Sequence, residues 1–154
     1  ASPDIALRTL VDDRLCLVCP ADHPLTRRRQ VRWADLQGHP LIAVRAGYGV
    51  RRMVDAVAAR ANVQLQIANE VGFLNSALWM TASGLGVTIW PAALLRASPF
   101  ENLVARPLVA PVVSRSISLV TRRGRSLSPA AAAFIQTLEE QLRAGRGQEP
   151  ASAR

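Results

Sequence analysis

The chain has 154 residues, of which 49% are hydrophobic, and it carries a net charge of +8. A chain of this length and apolar content can form one compact domain or two small lobes without a disulfide or a metal, so wholesale disorder is excluded. No apolar run reaches the roughly 20 residues of a membrane-spanning helix, so we expect no membrane partner.

The predicted elements of the first half alternate between strand and helix. Apolar residues recur at helical spacing after the loop at 45–50 and in a strand pattern elsewhere. In chain order we predict strand runs at 5–11 and 15–19 separated by a turn at Asp12-Asp13, a helical turn at 33–36, a strand at 41–44, a helix at 51–61 and a strand at 64–71.

The second half continues the alternation. Asn75 or Ser76 is a candidate N-cap for a helix that runs to Ser83 and stops before Gly84. A strand at 86–90, a helix after Pro91, strands at 103–109 and 116–121 and a helix capped by Ser128 and closed by Gly145 follow. This order predicts an α/β protein with largely parallel, buried strands.

The basic residues are all arginine, and they are spread from Arg8 to Arg154. A basic chain raises the alternative of a nucleic-acid-binding module. Only 5% of the residues are aromatic, so few rings are available to stack on bases. We therefore interpret the arginine clusters as solvated surface.

Cys16 and Cys19 form a C-x-x-C pair inside an apolar strand run. Side chains alternate faces along a strand, so two residues separated by an odd number point to opposite sides. A zinc site would need a second pair of ligands. We predict two buried, reduced thiols and neither a metal nor a cofactor.

The chain carries no nucleophile-elbow serine and no H-E-x-x-H zinc motif, and its acidic residues form no acid–base pair. His23 and His39 each precede a proline in a loop, and we interpret both as structural. We expect the chain not to be an enzyme.

Four segments, taken in this order, resemble the inducer-binding domain of LysR-type transcriptional regulators. They are residues 12–25 (DDRLCLVCPADHPL), 31–42 (VRWADLQGHPLI), 84–91 (GLGVTIWP) and 115–135 (RSISLV followed by SLSPAAAAFI). The resemblance covers roughly residues 4 to 143.

The resemblance implies a periplasmic-binding-protein-like (type II) fold with two Rossmann-like lobes, two crossover strands and a ligand between the lobes. Carried onto this chain, residues 1–20 and 92–145 form a partial first lobe, 21–91 the second lobe with its hinges, and 146–154 a flexible tail. The family's helix-turn-helix, its linker helix and the opening of the first lobe have no counterpart in residues 1–154. We therefore expect a part of a longer regulator.

The resemblance also points to a binding site at helix N-termini, which attract anions. The candidate ligand-binding residues lie in a first loop, in a second loop and at a hinge: Arg45, Ala46, Gly47 and Tyr48; Phe73, Asn75 and Ser76; and Trp90. Arg45 pairs with a ligand carboxylate or is an ordinary surface residue. Asn75 and Ser76 either contact the ligand or only cap the helix. Phe73 either lines an apolar pocket or belongs to the core.

The function that the resemblance implies is effector sensing in the bacterial cytoplasm. A small organic anion would act as the inducer and modulate DNA binding by the parent protein, which contacts DNA only through its helix-turn-helix domain. We expect a homo-oligomer, a dimer or tetramer, with helix 51–61 as a candidate interface. The alternative function is that of a periplasmic solute-binding protein. The lack of a signal peptide at residues 1–4 and an isoelectric point of about 11.4 argue against it.

Overall fold

Residues 4–95 and 100–146 are described by the structure, a computed structural model. Two short 3₁₀ helices, Pro24–Arg27 and Trp33–Leu36, confirm the predicted helical turn at 33–36 and add one before it. The strands are β1 (Ile5–Pro20), β2 (Val31–Arg32), β3 (Pro40–Val44), β4 (Gln66–Val71), β5 (Val87–Pro91), β6 (Leu103–Val109) and β7 (Ser114–Arg122). The helices are α1 (Gly49–Arg60), α2 (Leu74–Ala82), α3 (Ala92–Leu95) and α4 (Pro129–Arg146).

Most of these elements lie where the apolar periodicity predicts them. In α1 the buried residues are Val50, Val54, Val57 and Ala58, which share one helix face. Strand β6 has the predicted bounds, and α4 runs one residue beyond the predicted end at Gly145. Apart from Arg146, the predicted flexible tail lies outside the described residues.

The strands form one mixed sheet in the order β2-β6-β1-β5-β3-β4, with β7 also paired to β1. The parallel pairs are β3 with β4, β3 with β5, and β2 with β6. Strand β1 is antiparallel to both β5 and β6, which the prediction of largely parallel strands did not include. In the pairing of β1 with β5, Cys16 lies opposite Trp90 and Val18 opposite Thr88.

The predicted turn at Asp12-Asp13 is wrong, because β1 passes through both residues without interruption. Asp12 accepts a hydrogen bond from Ser116 Oγ at 2.6 Å. Asp13 is buried and accepts one from the backbone N–H of Ala93 at 2.8 Å. Partners from distant parts of the sequence therefore satisfy both carboxylates, and neither needs the local turn that adjacent aspartates often favour.

Strands β3 and β4 shift register by one residue between their first and last pairs. Leu41 lies opposite Ile67, whereas Ile42 lies opposite Asn69, so Ala68 is the extra residue. Beyond this bulge the register continues to the pair Val44 and Val71, where both strands end. The loops that follow β3 and β4 therefore start side by side.

By its internal contacts the chain divides into two compact units. One contains residues 13–114, with the buried core and the loops after β3 and β4. The other contains residues up to 12 and from 115 onward, where the first part of β1 pairs with β7 and Arg8 pairs with Glu139 of α4. The lobe boundaries that the resemblance implies, at 20/21 and 91/92, stay a prediction.

Candidate functional site

Two loops lie next to each other at the carboxyl ends of β3 and β4. The backbone N–H of Arg45, the first residue after β3, donates to the carbonyl of Val71, the last residue of β4, at 2.9 Å. The structure therefore brings together the first and second loops that carry seven of the eight predicted site residues.

A side chain also joins these loops. Tyr48 Oη donates to the carbonyl oxygen of Gly72 at 2.5 Å. Gly47 has a φ of +99°, a backbone conformation that favours glycine, and it immediately precedes the tyrosine. The first loop is thus bonded to the second at its start, through Arg45, and at its end, through Tyr48.

Each loop leads directly into a helix whose first turn has no side-chain cap. Tyr48 is the N-cap of α1 and Phe73 the N-cap of α2, and neither side chain accepts a capping hydrogen bond. The prediction that Asn75 or Ser76 caps α2 is wrong, because the helix begins at Leu74 and both residues lie in its first turn. The leading N–H groups of a helix need partners, so both termini can receive an acceptor.

Arg45 is an unpaired charge at this site, within the described part of the chain. Its side chain is exposed and forms no hydrogen bond or ion pair within residues 4–95 and 100–146. The guanidinium carbon lies 3.8 Å from the position that a Cβ atom on Gly72 would occupy. A free cation therefore lies beside the entrance to α2.

Arg51 is a neighbouring arginine whose role the sequence reasoning missed. It lies in the first turn of α1, and its side chain is only 12% exposed. It donates to the carbonyl of Val44 at 3.0 Å, to Glu70 at 2.5 Å and to Asp55 at 2.9 Å. The hydrogen bond that Arg51 donates to Glu70 is the main cause that raises the pKa of Arg51. Arg51 thus holds α1 to the ends of β3 and β4, and only its i,i+4 spacing from Asp55 gave a sequence signal.

Aromatic rings add apolar surface to the two loops. Phe73 is 75% exposed and Tyr48 is 39% exposed. Phe73 is therefore not a core residue in this structure. Asn75 is exposed and Ser76 is half-buried in the same turn of α2.

Trp90, the eighth predicted residue, lies on β5 and in neither loop. It is buried on β5 in a cluster with Cys16, Val18 and Ile42 and with the α2 residue Ala77. Its indole Nε1 has no hydrogen-bond partner among the described residues. Its proposed contact with ligand stays a prediction.

Within the described ranges, His, Cys, Asp and Glu residues nowhere gather in a group of three that could hold a metal ion. Among the helices described, none has the length and apolar character needed to cross a bilayer.

Comparison with known proteins identifies relatives along nearly the whole chain. The family model described as LysR substrate binding domain matches residues 1–143. The uncharacterised HTH-type transcriptional regulator YfeR of Shigella flexneri is 34% identical over 150 residues, which cover 96% of this chain and 48% of YfeR. The chain spans about half the length of the curated relatives it matches.

Solved structures show the same fold. The regulatory domain of CcmR from Synechocystis PCC6803, in complex with 2-PG, superposes with a TM-score of 0.77 at 20% identity, covering 90% of this chain and 67% of that one. The effector binding domain of QuiR, in complex with shikimate, gives 0.71 at 24% identity, covering 97% and 69%. These likenesses confirm the periplasmic-binding-protein-like α/β fold.

The family and the relatives are transcriptional regulators, which confirms that the chain is not an enzyme. The match over residues 1–143 also confirms the resemblance drawn from four short segments. The chain belongs to the LysR substrate-binding domain family and is the effector-binding domain of a LysR-type regulator.

Proposed function

We propose that this domain binds a small organic anion at the two loops after β3 and β4. The observation that carries the proposal is the Arg45 guanidinium, which has no partner among the described residues and lies beside Gly72, at the entrance to α2, whose N-terminus has no side-chain cap. An anion at a helix N-terminus gains about 0.3–1 kcal/mol, and an arginine adds a charge-assisted hydrogen bond to a carboxylate.

The exposed rings of Phe73 and Tyr48 favour a ligand with an apolar or ring-shaped body behind its anionic group. The complex of QuiR with shikimate, a ring carboxylate, supports this class of ligand. Asn75 and Ser76, in the first turn of α2, offer polar side chains for further hydrogen bonds. Ala46 and Gly47 supply backbone that a ligand can approach closely.

The regulatory step is a shift between two arrangements of the parent regulator. A ligand can shift such an equilibrium only by its differential affinity for the two states. In this proposal the parent is a cytoplasmic homo-oligomer, and its helix-turn-helix domains change their placement on DNA when the inducer binds.

The test measures binding of shikimate, benzoate and citrate to the purified chain by calorimetry and by thermal shift. We expect at least one to bind, and Arg45→Gln to weaken that binding by about tenfold or more, because it removes a charged hydrogen bond. Arg60→Gln, at the other end of α1, is the matched control and should bind as the wild type does. The proposal is wrong if Arg45→Gln binds normally or if none of the three carboxylates binds.

A further inference from the structure

The hydrogen bond between Tyr48 and Gly72 joins the end of the first loop to the first residue after β4. Arg45 N–H and the carbonyl of Val71 connect the loops where they leave the sheet. Tyr48 connects them again three residues later, where the first loop enters α1. These two bonds, together with the contacts of Arg51 with Val44 and Glu70, therefore set the spacing between Arg45 and the N-terminus of α2.

We propose that Tyr48 is a positioning residue of the effector site, which rests on the proposed function above. Its hydroxyl fixes the two loops at one spacing before any ligand arrives. Arg45 and the first turn of α2 then reach the same anionic group without a rearrangement.

The loop needs this second bond because Gly47 gives its backbone unusual freedom. Gly47 has a positive φ, and no atom lies within 4 Å of where its Cβ would be. Packing therefore does not hold Gly47 in place. Arg52 Nη1 also approaches the Gly47 carbonyl, at 3.4 Å, but this contact stays within the first loop and α1 and leaves the second loop untouched.

Loss of the Tyr48 hydroxyl should reduce the affinity for the ligand, because fewer ligand-free molecules would hold the two loops at the spacing that binding needs. When only a fraction of molecules holds a binding-competent arrangement, the apparent affinity falls by that fraction. Tyr48→Phe keeps the ring and removes the bond to Gly72, so it isolates this effect from loss of the aromatic surface.

The experiment measures backbone order parameters by NMR in the ligand-free chain, for the wild type, Tyr48→Phe and the control Arg52→Gln. We expect the order parameters of Gly47 and Phe73 to fall from about 0.85 toward 0.6 in Tyr48→Phe and to stay high in Arg52→Gln. The melting temperature of Tyr48→Phe should stay within about 4 °C of the wild type, because the fold keeps its core. The dissociation constant for shikimate, benzoate or citrate, whichever the wild type binds, should rise about tenfold in Tyr48→Phe and stay unchanged in Arg52→Gln.

Unchanged order parameters in Tyr48→Phe would overturn the inference even if Arg45→Gln abolishes binding. An affinity loss matched by a large fall in melting temperature would also overturn it, because the role would then be general stability. If the wild type binds none of the three carboxylates, the proposed function fails instead. The two failures are distinguishable because the order parameters are measured without ligand.

Discussion

Cys16 and Cys19 lie three residues apart on β1 and belong to different core clusters. Cys16 packs with Trp90 and donates to the Trp90 carbonyl at 3.2 Å, whereas Cys19 packs in the larger cluster that contains Leu17. Both thiols are free and buried. The structure confirms the predicted placement on opposite faces.

These thiols should not react in the native protein. Burial, with a smaller contribution from Asp13, raises the pKa of Cys16 to about 12. Burial also raises the pKa of Cys19 to about 11, against an opposing effect of Arg106. At pH 8 the thiolate fractions are then about 1 in 10,000 and 1 in 1,000. We expect an aromatic disulfide reagent to modify neither thiol until guanidinium unfolds the chain, and rapid native modification of either would contradict this.

His23 makes stability depend on pH in the acidic range. Its Nδ1 accepts a hydrogen bond from the backbone N–H of Leu25 at 3.3 Å, so the bond requires the neutral ring. Burial, assisted by the neighbouring His39, lowers the pKa of His23 below its usual 6.5. The neutral form is therefore favoured by folding. Its contribution is present above pH 6.5 and is lost as pH falls from there toward the lowered pKa.

The measurement is the free energy of unfolding by urea at several pH values between 5 and 8. His23→Asn retains a capping acceptor and does not titrate in this range. We expect the wild type to lose more stability than His23→Asn as the pH falls. Parallel pH profiles for the two proteins would show that His23 is not the titrating group.

Asp12 and Asp13 should differ sharply in their contribution to stability. Asp13 is 2% exposed and holds the N–H of Ala93, so Asp13→Ala leaves buried groups without their partner and should cost about 1–3 kcal/mol. Asp12 is exposed and bonds only the Ser116 hydroxyl among the described side chains, so Asp12→Ala should cost about 1 kcal/mol or less. Chemical denaturation measures the free energy of unfolding of both variants. Equal losses of stability would contradict the larger contribution expected of the buried Asp13.

Gly86 should not accept a side chain. Its φ is +150°, and an added Cβ would overlap the carbonyl oxygen of Pro40 on β3. We expect Gly86→Ala to lower the free energy of unfolding by about 1–3 kcal/mol. Gly49→Ala is the matched control, since no atom lies within 4 Å of its added Cβ and its φ is not positive. Gly49→Ala should leave the free energy of unfolding unchanged or raise it by about 0.4–1 kcal/mol. An unchanged free energy of unfolding in Gly86→Ala would contradict the close contact between Gly86 and the Pro40 carbonyl.

Local patterns predicted the elements because each depends on neighbours in sequence. The helical spacing of apolar residues predicted α1, and the bounds of β6 followed from its apolar run. The turn at Asp12-Asp13 was wrong because the partner residues, Ser116 and Ala93, are distant in sequence. No local sequence pattern predicts a carboxylate whose hydrogen-bond partner lies far away in the sequence.

The candidate site likewise combines features that local sequence predicts with contacts that depend on the whole fold. The family resemblance, with its binding site at helix N-termini, pointed to both loops and to Arg45. The Arg51 bond to Glu70 and the Tyr48 bond to Gly72 each depend on strands β3 and β4 being neighbours. Strand order is a property of the whole chain, so these two contacts could not be predicted from either segment alone.

The extra residue in β4 makes the deletion of a single residue unusually mild in this domain. Removing Ala68 would join Ile67 directly to Asn69, and Asn69, Glu70 and Val71 would keep their partners on β3. A bulge bends its strand and increases the local twist, so the deletion would straighten β4 and leave the pairing at its carboxyl end in place. A related regulator could thus lose this amino acid from the strand while the loops after β3 and β4 still start side by side.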